Sequence, residues 1–394
     1  MSGERASKRT KRNEGTNEIS YVEFYSGVGG WTMALKRALE KLSSEKGNGE
    51  EHLQACRIAA LDHSDLCTRV FEHNFGTDKK SFQIERLKLK QVEEWNARIW
   101  FLSPPCQPHT RQHSNQQNDL SDSRSSSFLH LCDLLSKMEN LPSLLVCENV
   151  IGFEKSNSFQ RWQTVLAERG YFVGHFHLSP TQINMPNDRP RYYCVAIKQE
   201  DLSDSSDTLS LRRYLKHETV ENNSDSLRIS LAIPELGVNE QSDSGISSDV
   251  LAISYFLDSK SDNSLKLPEK VLKSNASWCF DVVTPNDRRS SCFTHSYGRY
   301  IRGTGSILYD DDSFHVKLLK PEEREFQEDW TKDFDLSKLR YFSGSELSRL
   351  FGFSNNFSFP SNCSMKQQWK LVGNSINVHL ASCLVELGLR SMQK

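Results

Sequence analysis

The chain of 394 residues has no apolar run near the roughly 18 residues that a membrane-spanning helix needs, so none is expected. Its first residues are polar and basic, without the apolar stretch of a signal peptide, and an intracellular protein is expected. Ten cysteines are scattered, with no C-x-x-C pair and no His/Cys cluster at zinc spacing. That pattern argues for reduced thiols, against a disulfide framework and against a metal site. An excess of one charge is missing too: 49 Lys and Arg face 51 Asp and Glu, a net charge of −2. This balance excludes nucleic-acid binding by bulk charge and leaves room for a local basic groove. The clearest basic run, Lys8, Arg9, Lys11 and Arg12, suits a solvated tail, an arm that touches phosphate, or a nuclear-import tag.

What is present reads as strands alternating with helices. Val22 and Phe24 alternate with polar neighbours, Ser26-Gly27-Val28-Gly29-Gly30 intervenes, and Trp31, Ala34, Leu35, Ala38, Leu39 and Leu42 then share one helical face. Ile58-Ala59-Ala60-Leu61 reads as a second short strand ending at Asp62, with helical text over 65–74. A third strand ends at Leu102. A helix over 125–138, a strand over 143–147, a helix over 158–169 stopped by Gly170, and strands over 171–178 and 192–198 follow. This alternation predicts an α/β fold, a doubly wound, mostly parallel sheet covered on both faces. From about residue 200 the regularity ends. The stretch 201–264, rich in Ser, Asp and Asn, predicts flexible insertion in part. Order returns with Trp278-Cys279-Phe280, a hairpin over 296–309, a capping box at Ser343-x-x-Glu346 and an amphipathic helix over 375–391.

Five segments carry chemistry. Gly27, Gly29 and Gly30 allow backbone to approach a ligand, and the helix N-terminus after them favours a carboxylate or phosphate. Glycines that only turn the chain fit equally, and G-x-G-G partly matches a nicotinamide dinucleotide site; in either ligand reading Asp62 is placed to accept from a ribose. Pro104-Pro105-Cys106-Gln107-Pro108 follows the third strand, so a rigid loop presents the Cys106 thiol over the same crevice, as suits a nucleophile. The other nine cysteines read as core residues. In Cys147-Glu148-Asn149-Val150 an acid at the edge of an apolar strand needs a reason, whether catalytic or as a salt-bridge partner. Arg189-Pro190-Arg191-Tyr192 sets two guanidinium groups on one side of a strand, with Gln182 and Asn187 upstream completing a polar cluster suited to a phosphate or a base. Val372-Gly373-Asn374-Ser375 heads the last helix.

Taken in order, Phe24-Tyr25-Ser26-Gly27-Val28-Gly29-Gly30, Pro104-Pro105-Cys106-Gln107, Glu148-Asn149-Val150, Arg189-Pro190-Arg191 and Gly373-Asn374-Ser375 resemble the motif set of the cytosine-5 methyltransferases. Cys106-Gln107-Pro108-His109-Thr110-Arg111, the run from Ser121 to His130, and Cys292-Phe293-Thr294 with Tyr297-Gly298-Arg299-Tyr300 look like the tRNA(Asp)-acting branch of the DNA-methyltransferase-like enzymes. The resemblance covers roughly 20–200 and 278–390.

It implies a Rossmann-like, S-adenosylmethionine-dependent methyltransferase with a smaller inserted target-recognition domain. The expected division is a basic tail 1–19, a catalytic domain 20–200 completed by 366–394, and a recognition domain 201–365 that contains the insertion. The resemblance makes Cys106 the nucleophile on cytosine C6 and Glu148 the partner of N3 and the exocyclic amine. Arg189 and Arg191 are expected to complete the catalytic set by favouring the thiolate. The donor, leaving as S-adenosylhomocysteine, is expected over Phe24, Ser26, Gly27, Val28, Gly29 and Gly30, with Asp62 on its ribose and Ile84 beside the adenine. His63, Pro105, Asn374 and Ser375 complete that set. Gln83 stands where the DNA enzymes usually carry an acid, and its carbonyl can still accept from the adenine amine. Substrate contacts are expected from Gln107, Thr110, Arg111, Asn149, Cys292, Phe293, Thr294 and Tyr297. His109 and Tyr297 are expected as stacking surfaces, with Arg288 and Arg289 on phosphate. The implied reaction is methylation of C5 of cytosine 38 in the aspartate tRNA anticodon arm, in the cytoplasm and also in the nucleus. The expected partner is tRNA, with DNA bound only weakly and neither membrane nor metal involved. A DNA cytosine-5 methyltransferase and a catalytically silent nucleic-acid scaffold are the alternatives.

Overall fold

The computed structural model describes residues 18–45, 53–76, 81–105, 125–203, 209–217, 227–241, 249–260, 262–311 and 335–392. In chain order the first half supplies β1 (Glu18–Phe24), α1 (Gly30–Ser44), β2 (Gln54–Leu61), α2 (Asp65–Phe75), α3 (Leu89–Trp95), β3 (Ile99–Leu102), α4 (Ser126–Lys137), β4 (Leu144–Asn149), α5 (Asn157–Glu168), β5 (Tyr171–Leu178) and β6 (Arg191–Lys198). The second half supplies α6 (Leu209–Arg212), β7 (Lys216–His217), β8 (Ile229–Ser230), α7 (Glu269–Leu272), β9 (Asp281–Val283), β10 (Ser306–Tyr309), β11 (Leu339–Arg340), α8 (Gly344–Leu350), α9 (Met365–Gly373) and α10 (Val378–Ser391).

The main sheet runs β2-β1-β3-β4-β6-β5-β7, with β8 also on the outer edge of β5. Pairing is parallel from β2 through β4, and β6 is antiparallel to both its neighbours. Both faces are covered, which explains why the inner strands read as unbroken apolar runs. Side chains alternate between the faces: Ile99 and Phe101 join α1 and α10 in one core, while Trp100 and Leu102 join α4 and α5 in the other. Leu144 and Val146 divide from Leu145 and Cys147 in the same way. The expected doubly wound α/β architecture is therefore present. Because β1 is followed by β2 on one side and β3 on the other, the carboxyl ends of β1 and β3 flank a topological switch point, where open α/β sheets hold ligands.

Local signals fix the helix ends. Ser64 and Ser156 accept from the N–H groups of Cys67 and Phe159, and Gly76 and Gly170, at φ 77° and 72°, stop the chain after α2 and α5. The predicted capping box heads α8: Ser343 Oγ accepts from Glu346 N at 3.0 Å and Glu346 Oε2 accepts from Ser343 N at 2.7 Å. The last helix starts at Val378, capped by Asn377, and Gly373-Asn374-Ser375 forms the joint between α9 and α10.

Three expectations are corrected. β10 is not half of a hairpin over 296–309; it pairs in parallel with β9 and antiparallel with β11 in a separate small sheet. The second strand begins at Gln54, four residues before its apolar text, because it is the sheet's outer strand and its exposed side tolerates polar residues. The described parts of 201–264 are not loosely attached: Leu211, Leu215, Ile233, Leu236, Val238, Ile253 and Phe256 are buried in the α1–α10 core. β7 and β8 also extend the main sheet, so residue 200 does not mark its edge.

Candidate active site

The glycine loop leaves β1 through backbone that favours glycine: φ is 56° at Tyr25, 49° at Gly27 and 92° at Gly29. Gly29 has no alternative, since a Cβ there would meet the Phe75 ring at 2.2 Å. Gly27 N donates to Asp62 Oδ2 at 2.8 Å, and Ser26 donates through its N–H and its hydroxyl to Leu61 O. Asp62 Oδ1 also accepts from Ser64 N at 2.9 Å, so this carboxylate ties the loop after β1 to the turn after β2. Phe82 N donates to Asp62 O at 2.7 Å, which joins the segment before Gln83 to the turn at Asp62; Gln83 and His63 are both exposed.

The N-terminus of α1, expected to favour a ligand carboxylate or phosphate, is capped by the chain's own carboxylate. Glu23, fully buried on β1, accepts from Trp31 N at 3.2 Å, Thr32 N at 3.1 Å and Thr32 Oγ1 at 2.6 Å. The sequence signal was available, because Glu23 is an acid between the apolar residues of a buried strand, as Glu148 is. Phe24, Val28 and Ile84, expected at the cofactor, have buried side chains committed to the cores, Phe24 against Trp95 and Trp100. Only their main chain remains for a ligand.

On the facing side, Trp31 Nε1 donates to Ser103 Oγ at 2.8 Å, joining α1 to the segment that leads into Pro104-Pro105. Asn149, buried at the end of β4, donates to Pro104 O at 3.3 Å. It therefore positions the start of that loop. Pro105 is exposed. Cys106, Gln107, His109, Thr110 and Arg111 lie outside the described residues, as do Lys8, Arg9, Lys11 and Arg12.

Beside Asn149, Glu148 is 8% exposed and its Oε1 lies 3.3 Å from Arg191 Nε. Burial pushes the Glu148 carboxyl above its ordinary range, and Arg191 and Arg189 pull it part of the way back. Burial works against the charge of Arg191 as well, but Cys292 and Glu148 outweigh it and hold the guanidinium firmly protonated. Cys292 Sγ sits 3.5 Å from Arg189 Nη1 and 3.9 Å from Arg191 Nη2, so the two arginines do face one side.

Arg189, expected in the catalytic set, is also a structural clamp. It is 4% exposed and donates to Phe293 O at 2.9 Å, Gly373 O at 3.1 Å and Ser375 O at 2.9 Å. With its terminal nitrogens spent on main-chain carbonyls it clamps 292–293 to the α9–α10 joint. Ser375 is carried against the start of α1, where a Gly30 Cβ would meet Ser375 Oγ at 3.3 Å and Ile376 at 2.7 Å. Asn374 is exposed beside it.

Other expected substrate contacts are also internal. Phe293 is buried, and Tyr297, at 4% exposure, donates to Ser306 O at 2.7 Å and accepts from Phe342 N at 3.1 Å. Neither offers a stacking surface. Thr294 is half-buried and closes a loop, its N–H donating to Thr304 O at 3.0 Å. Arg288 is held by Val250 O, and Arg289 pairs with Asp188 at 2.7 Å. Gln182 is a staple, not a ligand group, donating from Nε2 to Leu231 O and Asn239 O. Asn187 is fully buried and both polar atoms of its side-chain amide lack a hydrogen-bond partner among the described residues.

A glycine loop pinned to an acid after the next strand, with exposed polar residues gathered at the switch point, defines the cofactor crevice of the S-adenosylmethionine-dependent methyltransferase fold. The residues fit such a group: among the described residues beyond its chain neighbours, the nearest atom to a Cβ on Gly27 is Tyr25 O at 4.0 Å, so the loop leaves room there, and His63 and Gln83 are exposed. The model of the C-5 cytosine-specific DNA methylase family matches residues 19–387, and the chain belongs to that family. A human tRNA (cytosine(38)-C(5))-methyltransferase is 32% identical, with 94% of this chain and 98% of the relative covered. A DNA (cytosine-5)-methyltransferase of Dictyostelium discoideum is 31% identical over 94% of each. The crystal structure of the Dnmt2 methyltransferase of S. pombe superposes with a TM-score of 0.71 at 28% identity, covering 94% of this chain and 98% of that one.

Proposed function

We propose that the protein transfers a methyl group to C5 of cytosine 38 in the anticodon arm of aspartate tRNA, through a covalent adduct of Cys106 with cytosine C6. The observation that carries the reading is Glu148: a buried carboxyl with a raised pKa, bridged to Arg191, beside the asparagine that holds the Pro-Pro loop. The activity named for the human relative and for a Schizosaccharomyces pombe relative, 29% identical over 96% of this chain, supports tRNA as substrate.

Glu148 holds a proton at its carboxyl and meets N3 of the cytosine, with its other oxygen toward the exocyclic amine. This withdraws electrons from C6 and favours attack by the Cys106 thiolate. As the S–C6 bond forms, the C5–C6 electron pair becomes an enamine that takes the methyl group at C5. Transfer of the C5 proton to solvent then expels the thiolate and restores the ring. Arg191 keeps Glu148 oriented and adds positive potential where the thiolate must form. S-adenosylmethionine, when bound, supplies an electrophilic methyl group. The glycine loop, Asp62, His63 and Gln83 on one side, and Asn374 and Ser375 on the other, are the groups that would hold it.

Methyl incorporation from labelled S-adenosylmethionine into tRNA and into duplex DNA, measured side by side, tests the substrate. A second reading, a DNA cytosine-5 methyltransferase, is favoured by the name of the Dictyostelium relative and would be adopted on equal or greater labelling of DNA. Cys106→Ala tests the chemistry: it is expected to abolish transfer while S-adenosylhomocysteine affinity stays within about twofold. Turnover within tenfold of wild type would remove Cys106 from the nucleophile's role.

A further inference from the structure

With Phe293 and Tyr297 in the core, one aromatic of the turn over 294–305 is left outside: Tyr300, 57% exposed. The Arg299 guanidinium carbon lies 5.1 Å from the centre of its ring. Arg302 and His295 are exposed on the same turn, Lys370 is exposed on α9 beneath it, and residues 294–305 contain no acid. The side chains around His295 are cationic, since Lys370 and Arg299 add to burial in depressing its pKa. The surface is therefore an exposed π-face set among positive charges.

It is also held rigidly. Gly298, at φ 71°, sits where a Cβ would meet the Trp369 ring at 2.2 Å, and Gly305 is packed in the same way on Phe293 and Tyr297. Arg299 N and Tyr300 N both donate to Ser296 O, Thr304 Oγ1 donates to Tyr300 O at 2.7 Å, and Thr294 N closes the base of the loop on Thr304 O. The turn is continuous with the site: a Cβ on Gly373 would meet Thr294 O at 2.3 Å, and Gly373 O is an acceptor of the Arg189 clamp beside Cys292.

We propose that this turn is a base-stacking platform for single-stranded RNA at the rim of the active site, with Tyr300 stacking an unpaired base near the target cytosine and Arg299 and Arg302 on the adjoining phosphates. A stacked ring is indifferent to base identity but needs a base already out of its helix, so the platform selects a loop over a duplex. The inference rests on the reading of the protein as an RNA methyltransferase and specifies how that site grips its substrate.

The test uses the full chain with a fluorescently labelled anticodon stem-loop RNA and a fully paired RNA of the same length. Tyr300→Ala is expected to weaken stem-loop binding roughly 5- to 100-fold. Tyr300→Phe keeps it, and duplex binding changes less than twofold in both variants. Arg299→Ala with Arg302→Ala is expected to weaken both RNAs and to reduce the dependence of affinity on salt. Unchanged melting temperature and S-adenosylhomocysteine binding establish that each variant is folded. Wild-type affinity in folded Tyr300→Ala, or equal losses on loop and duplex, would overturn the platform. Failure of the wild-type chain to bind and methylate the stem-loop would instead remove the RNA reading itself.

Discussion

Glu148 is held in opposing fields: burial favours its neutral form, and Arg191 and Arg189 favour the charged one. Burial wins, so the folded state holds the proton to higher pH than the unfolded chain, whose carboxyl has the ordinary value of 4.5. The stability contribution is therefore fully present below pH 4.5 and is lost as pH rises through the folded value. Glu148→Gln cannot titrate. Subtracting its urea-unfolding free energies from those of wild type should give a difference that falls from about pH 4.5 upward and then levels; a flat difference would mean that Glu148 has the same pKa folded and unfolded. Its methyl transfer should fall roughly 10²- to 10⁴-fold, the usual cost of removing a positioned acid or electrostatic group. Sequence located this residue because an acid on an apolar strand demands an explanation. The same rule would have found Glu23. Tyr297 and Tyr300 could not be separated this way, since which of two tyrosines three residues apart faces inward depends on packing against Trp369 and Phe342, distant in the chain.

At the scale of elements, periodicity was the strong signal wherever an element is buried along its length. It gave α1 by its apolar face and β3 by its unbroken apolar text. It failed for β10, whose partners Asp281–Val283 and Leu339–Arg340 are remote in sequence, while Gly298 and Gly305 near it serve close packing instead of a hairpin turn. Composition misled over 201–264, because a polar average conceals single apolar residues spaced to reach the core. Ile233→Ala should accordingly cost about 2–5 kcal/mol in chemical denaturation, as for a fully buried aliphatic residue; a cost below about 0.5 kcal/mol would restore the loosely attached insertion. The cap on α1 makes a second prediction. Glu23→Gln keeps the shape but loses the charge that meets two helical N–H groups, so it should lose about 1–2 kcal/mol and a few degrees in melting temperature. S-adenosylhomocysteine affinity should fall with it, since the same turn shapes the glycine loop. Unchanged affinity would separate the cap from the cofactor site.

Across the whole molecule, Arg189 joins parts of the chain that are far apart in sequence: the entry to β6, the segment at Cys292 and the joint before α10. The site is thus assembled from the main sheet and from the region around the small sheet, and on the proposed reading the nucleic acid meets both. A net charge of −2 gives no general attraction for a polyanion, so affinity has to come from local cations. Arg288 and Arg289 are already engaged within the protein, whereas the turn carrying Arg299 and Arg302, with Lys370 beneath it, is a compact basic face among the described residues. A face of that size touches few phosphates. If about three to five contacts form on a loop, raising salt from 50 to 200 mM should weaken binding roughly 20- to 100-fold, well short of the loss for an extended DNA-binding surface. Duplex DNA would also have to give up its target base from the stack, at a cost of a few kcal/mol that an open anticodon loop largely avoids. Transfer to tRNA should therefore exceed transfer to duplex DNA by at least about tenfold at equal salt, and a DNA duplex with a mismatch at the target cytosine should recover part of the difference. Equal rates on paired and mismatched DNA would show that base extrusion is not what separates the substrates.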